Sequence, residues 1–165
     1  MMWRSGRLLA AFLGALLLAA PLAGEAQAGR KPTVSARING KQLKASGRRA
    51  FASYGDLILL ISGTNPKRPA VRTIAFGCAP VDLAAVTFPY TCAGAGTYQE
   101  VRTRPTSARG WGTVHGLQVT IEEFSGTRIR GTFFGTFESG NQNGTQPLPP
   151  IAVENGTFDV PIRGA

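Results

Sequence analysis

The sequence predicts an all-β protein, a small antiparallel meander of about 8–9 strands closing into a barrel. Three observations carry that expectation. Beyond Pro32 apolar and polar residues alternate with period two, the pattern of a half-buried strand. Asn-Gly dipeptides and Pro-containing turns interrupt the alternation every 8–20 positions. A Gly-Thr-apolar unit recurs at Gly96, Gly112, Gly131, Gly135 and Gly156, at spacings too irregular for a solenoid. Glycine inside a strand marks a bulge, a bend or a close backbone approach, and several bends let a meander curl on itself. A two-sheet β-sandwich is the alternative arrangement.

Each strand follows from its local pattern. Thr33–Ile38 and Lys41–Ala45 flank Asn39-Gly40, the pair that a type I′ turn requires because both central residues take positive φ. That turn sets Ile38 opposite Lys41, Ala36 opposite Leu43 and Val34 opposite Ala45. Ala50–Tyr54 follows, and then the near-continuous apolar run Leu57–Ile61, expected to be covered on both faces. Gly63–Pro69 reads as a turn and Ala70–Gly77 as the returning strand. From Cys78 to Gly94 the alternation dissolves into a long loop, and Thr97–Thr103 resumes it. A hairpin from Gly112 to Phe137 turns at Phe124-Ser125-Gly126, with Gly126 left-handed. This register pairs Ile121 with Ile129, Val119 with Gly131 and Leu117 with Phe133 inward, and Glu122 with Arg128 and Thr120 with Arg130 outward. Ser139–Pro150 reads as a polar loop. Ile151–Val153 and Thr157–Val160 close the chain around Asn155-Gly156.

Length and composition narrow the class. A chain of 165 residues corresponds to one domain. With 43% hydrophobic and 16% charged residues it is too apolar for disorder. No apolar run reaches the roughly 20 residues of a spanning helix. Arg4 and Arg7 precede the apolar run Leu8–Ala20, and Ala26-Gln27-Ala28 offers a small-x-small cleavage site. Residues 1–28 therefore read as a secretory signal peptide and 29–165 as a single β domain, periplasmic or secreted. The arginines are not adjacent, which excludes a twin-arginine leader, and no Cys near Ala28 could carry a lipid. In an oxidising compartment Cys78 and Cys92, the only two cysteines, form one structural disulfide.

Loss of Arg4, Arg7 and Glu25 with the leader lowers the net charge only from +9 to +8. The basic residues are scattered without a long cationic run, and export argues against nucleic acid as a partner.

In order along the chain, Asn39-Gly40-Lys41, Gly96-Thr97-Tyr98, Val119-Thr120-Ile121, Gly131-Thr132-Phe133 and Asn155-Gly156-Thr157-Phe158 resemble an uncharacterised family of exported bacterial β-domain proteins, many of them lipoproteins. The resemblance spans roughly Thr33 to Pro161. It implies an exported all-β domain and brings no catalytic residues. This chain departs from the family in lacking a lipidation Cys and in carrying the Cys78–Cys92 insertion.

The chemistry of catalysis is sparse. His115 is the only imidazole, no Gly-x-Ser-x-Gly elbow exposes a serine, and two cysteines with one His do not make a metal site. Glu122 and Glu123 are adjacent, so they are expected on opposite faces of their strand rather than paired across a cleft. A hydrolase is the disfavoured reading; no catalytic residue, metal or cofactor is assigned. The leading expectation is a non-enzymatic envelope domain that binds a small apolar ligand or a protein. Trp111, His115 and Phe133 would line its interior, and Phe88 and Tyr90 its rim. The second expectation is a cationic module that docks on anionic envelope polymers through Arg102 and Arg104, and through Arg128 and Arg130, each pair on one face.

Overall fold

A computed structural model describes residues 29–142 and 146–163, with side chains described outside 139–146. The leader predicted for residues 1–28 lies outside the described residues. Lys31–Ala165 form one compact unit. Its strands in chain order are β1 (Thr33–Ile38), β2 (Lys41–Ser46), β3 (Ala50–Gly55), β4 (Ile58–Asn65), β5 (Ala70–Cys78), β6 (Tyr90–Thr103), β7 (Thr106–Phe124), β8 (Arg128–Phe137), β9 (Ser139–Gln142), β10 (Gln146–Leu148) and β11 (Ile151–Arg163). A single 3-10 turn at Gly47–Arg49 separates β2 from β3.

The sheet closes into a seven-strand barrel, as the bends had suggested. The ring runs β3-β4-β5-β6-β7-β8-β11 and returns to β3. Every pairing in it is antiparallel except the closure, where Ile162 and Arg163 of β11 run parallel to Ala52 and Ser53 of β3. A meander alone predicts no parallel contact. It arises because β1 occupies most of the same β11 edge, leaving only its last residues for β3. The Arg163 guanidinium lies 4.6 Å from the Phe51 ring centroid at this seam. The β1–β2 hairpin hangs on β11 outside the ring, and the short β9–β10 pair lies against β7.

The Asn39-Gly40 turn behaves as expected. Both residues have positive φ, and Ile38↔Lys41, Ala36↔Leu43 and Val34↔Ala45 are the observed pairs. Several expectations need correction, among them the long loop, which ends where β6 begins at Tyr90 rather than at Gly94. The apolar run at the start of β4 is covered on one face only, since Ile58 and Leu60 are exposed while Leu59 and Ile61 are buried. Strand β4 also continues through Gly63 to Asn65, so the turn before β5 is shorter than Gly63–Pro69. The polar stretch 139–150 contributes two short strands rather than a plain loop. Asn155-Gly156 lies at a bulge inside the single strand β11, where Glu154 and Asn155 oppose Phe134 of β8, and Asn155 and Gly156 oppose Ala36 of β1. An Asn-Gly pair supplies the positive φ that a hairpin or a bulge can use, and partners on both edges select the bulge.

The β7–β8 hairpin turns at Ser125–Thr127 with Gly126 at φ +81°, but its register differs from expectation by two residues. The longer turn pairs Phe124 with Ile129, three positions off, and the bulge between Ile121 and Glu123 brings the shift back to two, so Ile121 faces Gly131 and Val119 faces Phe133. An even shift keeps every apolar side chain on its expected face.

The interior is filled by aromatic rings. Phe76 stacks on Phe133 with centroids 4.0 Å apart, and Phe158 meets both at 6.0 and 6.4 Å. Tyr98 continues the column to Phe137 and Trp111. These rings fit because glycines lie beneath them. A Cβ on Gly156 would sit 2.7 Å from the Phe133 ring, and one on Gly131 would sit 2.6 Å from Cζ of Phe158 and 2.0 Å from the Thr120 carbonyl. The recurring Gly-Thr-apolar unit thus alternates a space for a neighbouring ring with a ring or aliphatic group of its own.

One end of the barrel is closed by residues 79–89. Val81 and Leu83 are buried, and Tyr54 pins the segment by donating its hydroxyl to the Val81 carbonyl (3.0 Å) while accepting from Leu83 N–H (3.1 Å). The Cys78–Cys92 disulfide closes the same loop. A covalent closure of this length contributes about 3 kcal/mol by restricting the unfolded chain.

Gly131→Ala should therefore lower stability by about 2 kcal/mol through overpacking. Gly110→Ala, with nothing within 4 Å of the added Cβ, should leave the melting temperature within about 2 °C of the parent. Thermal melts of the two variants side by side check this, and equal effects would contradict the ring-on-glycine account.

Candidate functional site

The predicted interior residues separate in the structure. Phe133 is fully enclosed and stacked on Phe76, so it belongs to the packed core. Trp111 is partly buried near the opposite end from the 79–89 plug, tilted against Tyr98 at 5.5 Å, with its indole N–H donated to the Pro149 carbonyl (3.0 Å). His115 does not point inward at all. Between the pairs Gly96↔Thr113 and Gly94↔Leu117, Ala95 alone opposes Val114, His115 and Gly116. Thr113 and Leu117 both stay buried, and the surplus residues are pushed out of the barrel wall. Gly116 N–H donates to Oγ1 of Thr113 (2.7 Å), and a Cβ on Gly116 would meet the Thr136 carbonyl at 2.2 Å. The bulge is thus built into the sequence. Strict alternation between Thr113 and Leu117 placed His115 inward only because it could not count the extra residues.

Phe88 and Tyr90 are partly buried against the core rather than forming an open rim; Phe88 lies 6.4 Å from Phe124, tucking the plug onto the barrel.

Of the arginine pairs, Arg128 and Arg130 share the outward face of β8 as expected, whereas Arg102 and Arg104 part. Arg104 sits in the tight β6–β7 turn, exposed, whereas Arg102 turns to the concave face and donates to Glu100 (2.9–3.0 Å). Arg128 pairs with Asp159, and Arg130 with both Glu122 and Glu123 (3.5 and 2.7 Å). The adjacent glutamates reach one guanidinium because the bulge between Ile121 and Glu123 breaks their alternation, so the expected Glu122–Arg128 pair does not form. Arg102 and Arg128 belong to opposite ends of β7, so the four arginines make no common anionic docking face.

The His115 bulge organises the outer wall. Two shallow grooves flank it and share Ala93 and His115. The larger, about 480 Å³, runs toward Gln118 and Phe134, and the smaller, about 240 Å³, toward Ile58 and Leu60. Small residues make the floors: Gly77, Ala93, Ala95, Gly116 and Gly135. The ridges are apolar and exposed, with Val114 at 68%, Ile58 at 53% and Phe134 at 50% of full accessibility. Contiguous apolar exposure of this kind is unusual on a soluble surface and marks contact sites. Across β4–β7 the wall is also free of Asp, Glu, Lys and Arg, while at its β8 margin Phe134 lies opposite the exposed Glu154. The cross-strand rows Leu60–Gly77–Ala95, Ser62–Ala75–Thr97–Gly112 and Thr64–Thr73–Gln99–Gly110 contain no ionisable side chain. The net charge of +9 is carried elsewhere. Sequence reading missed this face because each of its residues is unremarkable alone; the signal was the lack of Asp, Glu, Lys and Arg at alternate positions of four strands.

A second polar feature lies at the barrel end away from the plug. Glu100 is buried between Arg72 (3.3 Å) and Arg102 (2.9 Å). Burial opposes its ionisation, but the hydrogen bond from Arg102 and the charges of both guanidinium groups outweigh that and hold its carboxyl below the ordinary glutamate range. The neighbouring Tyr98 is pushed up to about 12, chiefly by burial and further by Glu100, against the opposing pull of Arg72.

Among the described residues, no group of three or more His, Cys, Asp or Glu could hold a metal ion, and no helix is long and apolar enough to cross a membrane. Comparison with protein-family models, with curated proteins and with solved structures finds no match to this chain.

A carboxylate whose pKa is lowered on folding contributes stability that is present above its unfolded pKa and lost as pH falls through the folded value. Glu100 should therefore stabilise the fold at pH 7 and lose that contribution as pH falls below the ordinary glutamate pKa and through its lowered folded value. Glu100→Gln should cost about 2 kcal/mol at pH 7 and flatten the acid limb of the stability curve. Denaturant unfolding of both proteins between pH 7 and pH 3 measures both effects, and parallel curves would contradict the assignment.

Proposed function

We propose that this protein is a non-enzymatic binding domain of the bacterial envelope, exported by its N-terminal leader, and that its contact face is the uncharged outer wall around His115. The single observation that carries this reading is the exposed, contiguous apolar strip of Ile58, Leu60, Val114 and Phe134 along two grooves. Core packing fixes where the bulge emerges, but the fold gains nothing from apolar rather than polar side chains at the exposed positions Ile58, Leu60, Val114 and Phe134. Water-exposed Val and Phe side chains bring a free-energy gain only when a partner covers them, at about 25 cal/mol per Å² of apolar area.

The packed interior turns the reading away from a carrier. Rings of Phe76, Phe133 and Phe158 occupy the space where a small apolar ligand would sit. The outer wall fits a protein partner with a neutral, partly apolar surface. Its lack of charge favours such a partner over an ionic polymer, because a polyanion would find no counter-charge there. The disulfide between Cys78 and Cys92 suits an oxidising compartment, the periplasm or the exterior.

A photo-crosslinking side chain in place of Val114 should capture one defined envelope protein in the exporting host, and the same group in place of Arg37 should not. The triple substitution Ile58→Thr, Leu60→Thr, Phe134→Thr should abolish capture while leaving the melting temperature within about 5 °C, since all three side chains are exposed. Equal capture from positions 114 and 37, or capture that survives the triple substitution, would remove this reading.

A further inference from the structure

Acidic and basic residues are sorted in this barrel. Asp56 and Asp82 lie at the plugged end, where Val81 N–H donates to the Leu57 carbonyl (2.8 Å). Glu122 and Glu123 border the β7–β8 turn, which Phe124 ties to the plug through Phe88. The stretches 31–55 and 57–81, by contrast, hold six and three cations and no acidic residue.

Folding gathers much of that excess at one edge. The 3-10 turn Gly47–Arg49 carries Arg48 and Arg49, both exposed. Lys31 lies across it: Gly47 N–H donates to the Pro32 carbonyl (2.9 Å), and Lys31 Cε stands 3.8 Å from where a Cβ on Gly47 would sit. Arg163, at the end of β11, donates to the Arg48 carbonyl (3.0 Å). On its other flank the turn packs beside β4, since Ala50 pairs with Gly63. Strand β4 ends two residues later at Asn65, whose side-chain oxygen accepts from Lys67 N–H (3.1 Å) and folds the next turn, with Lys67 and Arg68 exposed on it. Lys31, Arg48, Arg49, Lys67, Arg68 and Arg163 are all exposed, and among the described residues none of them forms an ion pair. The carboxylate that pairing brings toward this group, Asp159 opposite Thr33, is taken by Arg128. Mutual repulsion of these cations opposes folding, and an external anionic surface relieves it.

We infer that this edge docks on an anionic phospholipid bilayer. Two features favour a bilayer over a soluble polyanion. The cations project from turns and strand ends, so they meet a flat array of headgroups without rearrangement. The separation of acidic from basic residues also orients the whole molecule in a field as wide as itself, which a charged membrane creates and a single polymer strand does not. Each Lys or Arg within a Debye length of such a surface adds its own attraction, and none needs a fixed fork of acceptors. The edge is separate from the apolar outer wall and does not depend on it.

Co-sedimentation of the protein recovered from the exporting host tests this, with vesicles of equimolar phosphatidylglycerol and phosphatidylcholine and with phosphatidylcholine alone. Binding should occur on the anionic vesicles only. It should fall at least tenfold as added salt shortens the Debye length from about 10 Å to about 3 Å. Arg48→Gln with Arg49→Gln, and Lys67→Gln with Arg68→Gln, should each weaken binding several-fold, and the four together at least tenfold. Arg48→Lys with Arg49→Lys should change it less than twofold, because the charge is kept and no fork is used. Arg37→Gln with Lys41→Gln, which removes two exposed charges beside the Asn39-Gly40 turn, should also change it less than twofold. All these side chains are exposed, so the variants should melt with the parent. Equal weakening by the 37/41 pair and by either edge pair overturns the inference, because it leaves only diffuse net charge. So does equal binding to both kinds of vesicle, or binding to neither. Binding to soluble dextran sulfate that needs the edge residues, with none to anionic vesicles, overturns it in favour of a polymer site.

Discussion

The seating of large aromatic rings over strand glycines is the constraint on which the rest of this barrel depends. Seven strands enclose a narrow interior, and Phe76, Phe133 and Phe158 fill it only because Gly131 and Gly156 present bare backbone to them. Ring and glycine come from different strands, so each such contact also fixes the stagger between those strands. A slip of two residues would keep every face correct and still drive a ring into a Cβ. Packing of the rings thus selects among registers that alternation alone treats as equal.

The same stagger explains the bulges. Strands β6 and β7 pair along nearly their whole length, but the inward positions of β7 must meet both the Tyr98–Phe137 layer and the Phe76–Phe133 layer. Surplus length between Thr113 and Leu117 has no room inside and emerges as Val114 and His115. What makes this wall apolar is therefore a by-product of core geometry in its position, though not in its composition. Flanking it with Ile58, Leu60 and Phe134, and clearing four strands of charge, is a property of the outward residues alone. Those residues could have been Lys or Glu without cost to the core, which is why their identity points to contact rather than to folding.

The two ends of the barrel differ in kind. At one, Val81, Leu83 and Phe88 fold in under Tyr54 and the disulfide, and the end is closed by apolar packing. At the other, the hydrophobic column ends at Tyr98 and Trp111 and gives way to the row of Arg72, Glu100 and Arg109. Burying a carboxylate there is tolerable because the Arg72 and Arg102 guanidinium groups answer it. The charged end and the neutral wall are separate surfaces with different chemistry.

Local chemistry made much of this legible in advance. Asn39-Gly40 forced a type I′ turn and with it the β1–β2 register, because only positive φ at both residues closes a two-residue loop. Alternation assigned the faces of β1, β2, β7 and β8, since side chains one residue apart cannot share a face in extended chain. Two cysteines in a chain expected to be exported implied the disulfide. None of these inferences required knowledge of distant residues. The outward turn of His115, the shared partner of Glu122 and Glu123, the bulge at Asn155-Gly156 and the isolation of Arg104 from Arg102 all did. Each depends on how many residues the opposing strand supplies, a count set by ring packing across the barrel. Sequence alone therefore determined which residues face in and out over regular stretches. Tertiary structure decided where the alternation breaks, and the apolar wall came to light only through that placement.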